Sequence, residues 1–177
     1  MINTEQMDKK AVYDVMLDLL YTVNASWFKL ETQLKGIYAS LGKSSELNQI
    51  LFQLYEDFGR YEAKRLKKTL NIKAGDIDSL IKMLKHSHWC AFENVQTEKL
   101  AEKTFRMRTV DCTTQQAAKK RGEKCYDCTT DANRLLRHAF FAEINKSAKV
   151  KRNFAPPEAA PPEANQNVSC EWEISID

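Results

Sequence analysis

"KTFRMRTVDCTTQQAAKKRG", residues 103–122, contains the change of pattern on which the fold assignment depends. Its first ten residues are rich in aromatic, β-branched and alternating side chains, which is typical of a half-buried β-strand. A polar run follows and stops at Gly122, which favours a short helix with a glycine end. This stretch therefore predicts a strand joined to a helix, with Cys112 at the junction.

The rest of the second half extends this arrangement. Residues 89–97 predict a strand that forms a hairpin with 103–112 around a polar turn at 98–102, and 148–154 and 169–176 predict two more strands. A second helix is expected to start at Thr129 or Thr130. In "CEWEISI" the alternation places Cys170 and Trp172 on the core side. The order is β-β-α-α-β-β, which predicts one antiparallel sheet.

The first half predicts helices only. Apolar residues recur at helical spacing from Val12 to Leu41, and the polar Asn24 and Glu31 fall on the same stripe, so both are expected to face inward. The pattern restarts at Ser44, with Gly59 as a predicted end or bend, and again near Asp76. We predict an α+β fold in one domain, 1–177, with a helical half (1–87), an α+β half (88–177) and a flexible Pro/Ala/Glu-rich loop at 155–167.

Charge and hydropathy exclude several classes of function. The formal net charge of +3 comes from 27 basic and 24 acidic residues spread along the chain, which does not favour nucleic acid as a partner. No apolar run approaches the ~20 residues that cross a bilayer, and the N-terminus lacks the pattern of a secretion signal. We therefore expect a cytoplasmic protein whose five cysteines are reduced, with no membrane partner.

Two cysteines lie just before predicted helices. Cys112 precedes Thr113-x-x-Gln116, which has the form of a capping box, and Cys128 precedes the next helix. The positive end of a helix dipole stabilises a thiolate. Cys112 and Cys128 are therefore candidate nucleophiles, with Glu31 or Gln116 orienting water or a substrate.

The cysteine spacing also suits a metal. Cys112, Cys125, Cys128 and Cys170 follow the pattern C-x12-C-x2-C-x41-C, which supplies four sulfurs for a tetrahedral zinc ion. The alternative is that these small residues fill a junction between helix and sheet. Cys90 has no cysteine near it in the sequence and is expected to be a packing residue.

Several short motifs together resemble a known family. They are Trp27-Phe28 with Glu31, "EAKRLKK" at 62–68, "CTTQQAAKKRG", Phe154-Ala-Pro-Pro and "CEWEI". The chain resembles an uncharacterised prokaryotic "cytosolic protein" family, related to L-2-amino-thiazoline-4-carboxylic acid hydrolase-like proteins and remotely to 4-vinyl-reductase-type ligand-binding domains. The resemblance implies shared positions at Trp27, Glu31, Cys112, Gln116, Cys128, Cys170 and Trp172. The remote domains bind zinc through cysteines and a glutamate.

Two functions remain open at this point. One is a small-ligand- or metal-binding protein, with Trp27, Glu31, Gln116 and Trp172 on the ligand and Cys112, Cys128, Cys170 and either Glu31 or Cys125 on zinc. The other is a small-molecule hydrolase that acts through a cysteine thiolate or a metal-bound water. The sequence predicts neither the identity of the small molecule nor the oligomeric state.

Overall fold

The computed structural model describes residues 7–122, 127–162, 164 and 167–177. Helices and a four-stranded antiparallel sheet make up this part of the chain, so the predicted α+β class is confirmed. The elements in chain order are α1 (Lys9–Ser40), α2 (Ser44–Thr69), α3 (Ile77–Lys85), α4 (His88–Phe92), β1 (Asn94–Ala101), β2 (Thr104–Val110), α5 (Thr113–Arg121), α6 (Asp131–Ala142), β3 (Lys149–Phe154) and β4 (Val168–Ser175).

The sheet has the strand order β1-β2-β4-β3, and all its neighbouring strands are antiparallel. The central strands β2 and β4 pair Thr109 with Cys170 and Met107 with Trp172. Buried and half-buried residues alternate along both strands. One face of the sheet is therefore the core face, and Cys170 and Trp172 lie on it as predicted.

The segment 89–93 was predicted as the start of a strand, and this prediction is wrong. It belongs to the short helix α4, and β1 starts only at Asn94. The carboxylate of Glu62 accepts hydrogen bonds from the backbone N–H of His88 at 2.7 Å, and its second oxygen lies 2.7 Å from His88 Nδ1. A charged acceptor on the first turn stabilises a helix that the local sequence does not favour.

Helix α6 covers the core face of the sheet. The ring of Phe141 lies edge-on to Phe105 of β2 with 5.8 Å between centroids, and Phe140 lies edge-on to Trp89 at 5.3 Å. Both phenylalanines are fully buried. Aromatic pairs in this geometry add to the free energy gained by burying their surface. The core thus lies between β2, β4 and α6, with α3 contributing Leu80, Met83 and Leu84.

The chain divides into two compact units, Met1–Ile50 and Leu51–Asp177. The boundary between them falls inside α2. The change of pattern at residues 87–88, at which the sequence separates a helical half from an α+β half, lies within the second unit. The predicted end at Gly59 is wrong, because α2 continues to Thr69.

Helix α1 confirms one inward residue of the predicted stripe and contradicts others. Glu31 is buried, and its carboxylate forms an ion pair with Lys35 Nζ at 2.6 Å. Much of the apolar stripe is exposed instead, including Met16, Val23 and Ile37. A single helical face cannot hold all the apolar residues between residues 12 and 41, so the helix buries only the side that carries Glu31.

Within the described ranges, no helix combines the length and hydrophobicity that a bilayer span needs.

Candidate functional site

An arginine is buried in the core of the second unit. Arg137 lies on α6 and is 5% exposed, on a helix whose other buried residues are apolar. A fully buried charge is rare because removing it from water carries a large desolvation cost unless a partner offsets it. The groups around Arg137 therefore decide what it does.

Two indole rings flank the guanidinium. The Cζ atom of Arg137 lies 4.3 Å from the ring centroid of Trp172 on β4 and 5.2 Å from that of Trp89 on α4. Both distances are within the range of cation–π attraction. The two indoles therefore hold the guanidinium in place and replace part of its hydration, but they supply no negative charge.

Hydrogen bonds satisfy only part of the guanidinium. Arg137 Nη1 donates to the backbone oxygen of Asn133 at 3.1 Å and to its Oδ1 at 3.4 Å. Within the described residues, five buried side-chain nitrogens or oxygens have no hydrogen-bond partner, and four of them lie here: Arg137 Nε, Asn133 Nδ2, Thr130 Oγ1 and Trp172 Nε1. Thr130, Asn133 and Arg137 are spaced so that they share one face of α6. Unpaired donors thus gather around the buried cation; we call these four residues and Trp89 the arginine site.

The arginines on the outer face of the sheet provide a contrast. Arg108 donates to Glu171 at 2.7 Å and to Glu98 at 2.9 Å, and these bonds raise the pKa of its guanidinium. The fifth unpaired atom, Arg106 Nε, lies 3.4 Å from a carboxylate oxygen of Glu171. Among the described residues, Arg137 has no carboxylate partner of this kind.

Three of the predicted site cysteines lie near this guanidinium. Burial lowers the pKa of Arg137, and electrostatic interactions with Cys170, Cys128 and Cys112 oppose that shift. Cys170 is buried on β4, and Cys112 and Cys128 are half-buried at the junctions before α5 and α6. An arginine keeps its charge at neutral pH even with a lowered pKa. The arginine site is therefore positively charged and bordered by sulfur.

At Cys112, burial outweighs the stabilisation of a thiolate that is expected from the helix N-terminus. Burial raises the pKa of Cys112 to about 11, and this outweighs the backbone N–H groups of Gln115 and Thr114, which lower it. The nearby carboxylate of Glu93 raises the pKa further, and the thiol donates to it across 3.7 Å. Burial raises the pKa of Cys90 to about 11 as well. Both sulfurs are therefore thiols at neutral pH.

We expect Cys112 and Cys90 to react slowly with iodoacetamide at pH 7. A pKa of about 11 leaves roughly 10⁻⁴ of each thiol ionised there, and the rate should rise tenfold per pH unit up to about pH 11. Both folded-state pKa values lie above the ordinary 9.0, so stability present below pH 9 should be lost as the pH rises toward 11. Peptide mass spectrometry of folded and urea-unfolded protein measures the rates. Rapid labelling of folded Cys112 at pH 7 would contradict this account.

The predicted capping box is replaced by another acceptor. Helix α5 starts with Cys112 at the N-cap, and Thr113 donates its backbone N–H to Glu93 at 2.8 Å and its hydroxyl at 2.9 Å. Gln116 is exposed, and its amide donates to the backbone oxygen of Asp111 at 3.3 Å. A carboxylate is a stronger acceptor for a helix N-terminus than a hydroxyl, so Glu93 takes the position predicted for the threonine side chain.

The cysteines of this region were also predicted to hold zinc. Cys125 lies outside the described residues, and among those described no three His, Cys, Asp or Glu side chains are arranged to hold a metal ion. The guanidinium of Arg137 interacts electrostatically with Cys112, Cys128 and Cys170, and its positive charge opposes a divalent cation near them. The zinc hypothesis stays a prediction, because one of its four cysteines, Cys125, lies outside the described residues.

The remaining predicted residues lie elsewhere in the chain. Trp27 is half-buried and Glu31 is buried, and both are on α1 in the first unit. Trp172, by contrast, is fully buried beside Arg137. Of the predicted site residues, the structure brings Cys112, Cys128, Cys170 and Trp172 to Arg137.

Sequence reasoning missed Arg137, Asn133 and Trp89. A signal for the arginine was available: Arg137 lies three residues before Phe140 and seven before Ile144, on an apolar helical stripe. A charged residue at such a core-facing position indicates an unusual partner. No comparable signal exists for Trp89, because its neighbours were assigned to a strand.

Comparison with known proteins gave one match. Residues 13–176 match the profile of a family described as "Family of unknown function (DUF6125)". No curated protein and no solved structure matches the chain.

Proposed function

We propose that this chain, which belongs to the DUF6125 family of unknown function, binds a small monocarboxylate through the guanidinium of Arg137. The observation that carries the proposal is a buried arginine whose Nε has no partner and which has no carboxylate counter-ion among the described residues. A ligand carboxylate would supply the missing negative charge.

The neighbouring groups favour an anion over other ligands. Asn133 Nδ2 and Trp172 Nε1 are buried donors without acceptors, and an oxyanion accepts from several donors at once. Thr130 is the N-cap residue of α6, and it makes no side-chain capping bond, so the positive end of that helix adds to the attraction. Together these features favour the binding of a negatively charged group.

A monocarboxylate fits the charge better than a phosphate. Within the described residues, the groups that act electrostatically on Arg137 are three cysteines, so a dianion would bring an uncompensated negative charge into the core. A carboxylate can accept two parallel bonds from one guanidinium edge. The flanking indoles and the thiol of Cys112 favour an apolar body on the ligand.

The hydrolase alternative predicts the same ligand class. The resemblance to L-2-amino-thiazoline-4-carboxylic acid hydrolase-like proteins, a prediction from the sequence, implies a substrate with a carboxylate. Arg137 would hold that group, and Cys128 is the remaining candidate nucleophile because the raised pKa of Cys112 keeps it protonated. Incubating the protein with that thiazoline acid and following its loss by chromatography tests this alternative.

Tryptophan fluorescence tests the binding proposal. Trp89 and Trp172 flank the guanidinium, so an anion at Arg137 changes the field at both indoles. We expect benzoate to change the emission in a saturable way and to raise the melting temperature, with acetate weaker and inorganic phosphate weakest. Sodium chloride at matched ionic strength is the control.

Two outcomes would overturn the proposal. One is a fluorescence and melting temperature that do not respond to benzoate or acetate at concentrations up to tens of millimolar. The other is about one equivalent of zinc in protein purified without chelator, with its loss on Cys112→Ser, Cys128→Ser or Cys170→Ser, because that result would assign the sulfurs to a metal.

A further inference from the structure

Helix α1 carries an apolar seven-residue repeat that the fold leaves exposed. Nine positions from residue 13 to residue 41 follow the alternating spacing of three and four, and all nine are apolar: Tyr13, Met16, Leu20, Val23, Trp27, Leu30, Leu34, Ile37 and Leu41. We call this set the seam. A repeat of 3.5 residues over four heptads is the pattern of a coiled coil, in which one helix packs along another.

Most of the seam is exposed within the part of the chain that the structure describes. Trp27 and Leu34 are half-buried, whereas the other seven seam residues are exposed. The exposed fraction is 60% for Met16, 66% for Val23 and 55% for Ile37. These side chains stand in successive turns of one helix, so they form one continuous apolar surface and are not scattered single residues.

We infer that the seam is the interface with a second copy of this chain, so that the protein is a homodimer joined through α1. An apolar heptad seam is complementary to itself, and a two-fold axis brings the same surface from both copies together. No seam position carries a charge, so pairing two seams opposes no like charges.

The size of the surface agrees with a dimer. Helix α1 has 32 residues, which corresponds to about 48 Å of contact length. Its seven exposed seam side chains present on the order of 600 Å² per copy, and a standard interface buries about 800 Å² per partner. Neighbouring exposed residues such as Leu19 and Tyr21 extend the surface toward that value.

The test uses glutamate at two seam positions. Val23 and Leu30 are exposed, so Val23→Glu with Leu30→Glu should preserve the helix while it places charge in the interface. The matched control is Ala25→Glu with Thr32→Glu, which adds the same charge at the same seven-residue spacing on exposed positions outside the seam. Sedimentation equilibrium measures the mass, which should be twice the 20.4 kDa of the chain for wild type and control. We expect the seam variant to dissociate, with a Kd at least 100-fold higher.

Three outcomes would overturn the inference. They are a monomeric wild type at about 100 µM, a dimer that the seam variant leaves intact, and a control that dissociates as readily as the seam variant. If the glutamates lower the helical circular dichroism signal, Val23→Ala with Leu30→Ala replaces them and should weaken the dimer at least tenfold. The benzoate response of the arginine site is measured on each variant, so that loss of the dimer and loss of ligand binding are distinguished.

Discussion

Replacing Arg137 with methionine is expected to abolish benzoate binding while the folded state becomes more stable. The charge-assisted bonds to a carboxylate are lost, which should weaken binding at least 100-fold. Methionine fills a similar volume and removes a buried charge that lacks a counter-ion among the described residues. Two cation–π contacts are lost as well, so we expect a net gain of about 1–2 kcal/mol in the free energy of unfolding.

Urea denaturation without ligand and fluorescence titration with benzoate measure the two effects. Arg134→Met is the matched control, because Arg134 lies on the same helix, is exposed, and makes a surface ion pair with Asp131 at 3.2 Å. It should change stability by less than about 0.5 kcal/mol and leave benzoate binding intact. The proposal is contradicted if Arg137→Met lowers the free energy of unfolding by several kcal/mol and the wild type binds no carboxylate. In that case Arg137 stabilises the core by packing between two indoles and does not bind a ligand.

The second large effect is expected at Gly59. A Cβ atom at this position would lie 2.3 Å from the backbone oxygen of Leu136, so α2 and α6 approach each other there at backbone contact. Gly59→Ala must push the two helices apart and should lower the free energy of unfolding by about 2–4 kcal/mol. Gly36→Ala is the control, because Gly36 lies in α1 and, apart from its own helix backbone, no described atom lies within 4 Å of an added Cβ. This change should stabilise by roughly 0.5–1 kcal/mol.

Urea unfolding curves of both variants test this pair of predictions. Equal stability of Gly59→Ala and the wild type would show that α2 and α6 do not make the close contact. A large loss of stability in Gly36→Ala would contradict the open surroundings of that residue.

Gly59 also illustrates what a sequence can and cannot predict. Within one helix a glycine lowers helix propensity, and this favours an end or a bend at residue 59. The actual requirement comes from Leu136, which is far away in the chain and invisible to local periodicity. The short helix α4 was missed for the same reason, because the carboxylate that holds its first turn belongs to Glu62 on another helix.

Sequence periodicity predicted the structure correctly where one face of an element is buried and the other is exposed to solvent. The alternation in β4 correctly predicted that Cys170 and Trp172 face the core, and Gly122 ends α5 in the left-handed conformation, with φ of 66°. The predicted antiparallel sheet is confirmed, and within it the last strand, β4, pairs with β2. The core-facing side of β4 and the end of α5 depend on local chemistry alone.

The candidate site was predictable only in part. Cys112, Cys128, Cys170 and Trp172 were named from their positions beside helix starts and on the core face of β4. The buried charge of Arg137 was not predicted. In the sequence Arg137 looks like one polar residue of an amphipathic helix, and only the fold brings Trp89 of α4 and Trp172 of β4 to it. Desolvation, which raises the pKa of Cys112, likewise depends on the packed structure.

The most direct test is the NMR signal of Arg137 Nε–H in a protein labelled with ¹⁵N, assigned by its disappearance in Arg137→Met. The account predicts that benzoate shifts this signal and that the shift saturates with the Kd found by fluorescence, because the carboxylate accepts from this nitrogen. A signal that stays in place through the titration, while the tryptophan emission or another arginine responds, would contradict the assignment of Arg137 as the anion-binding residue.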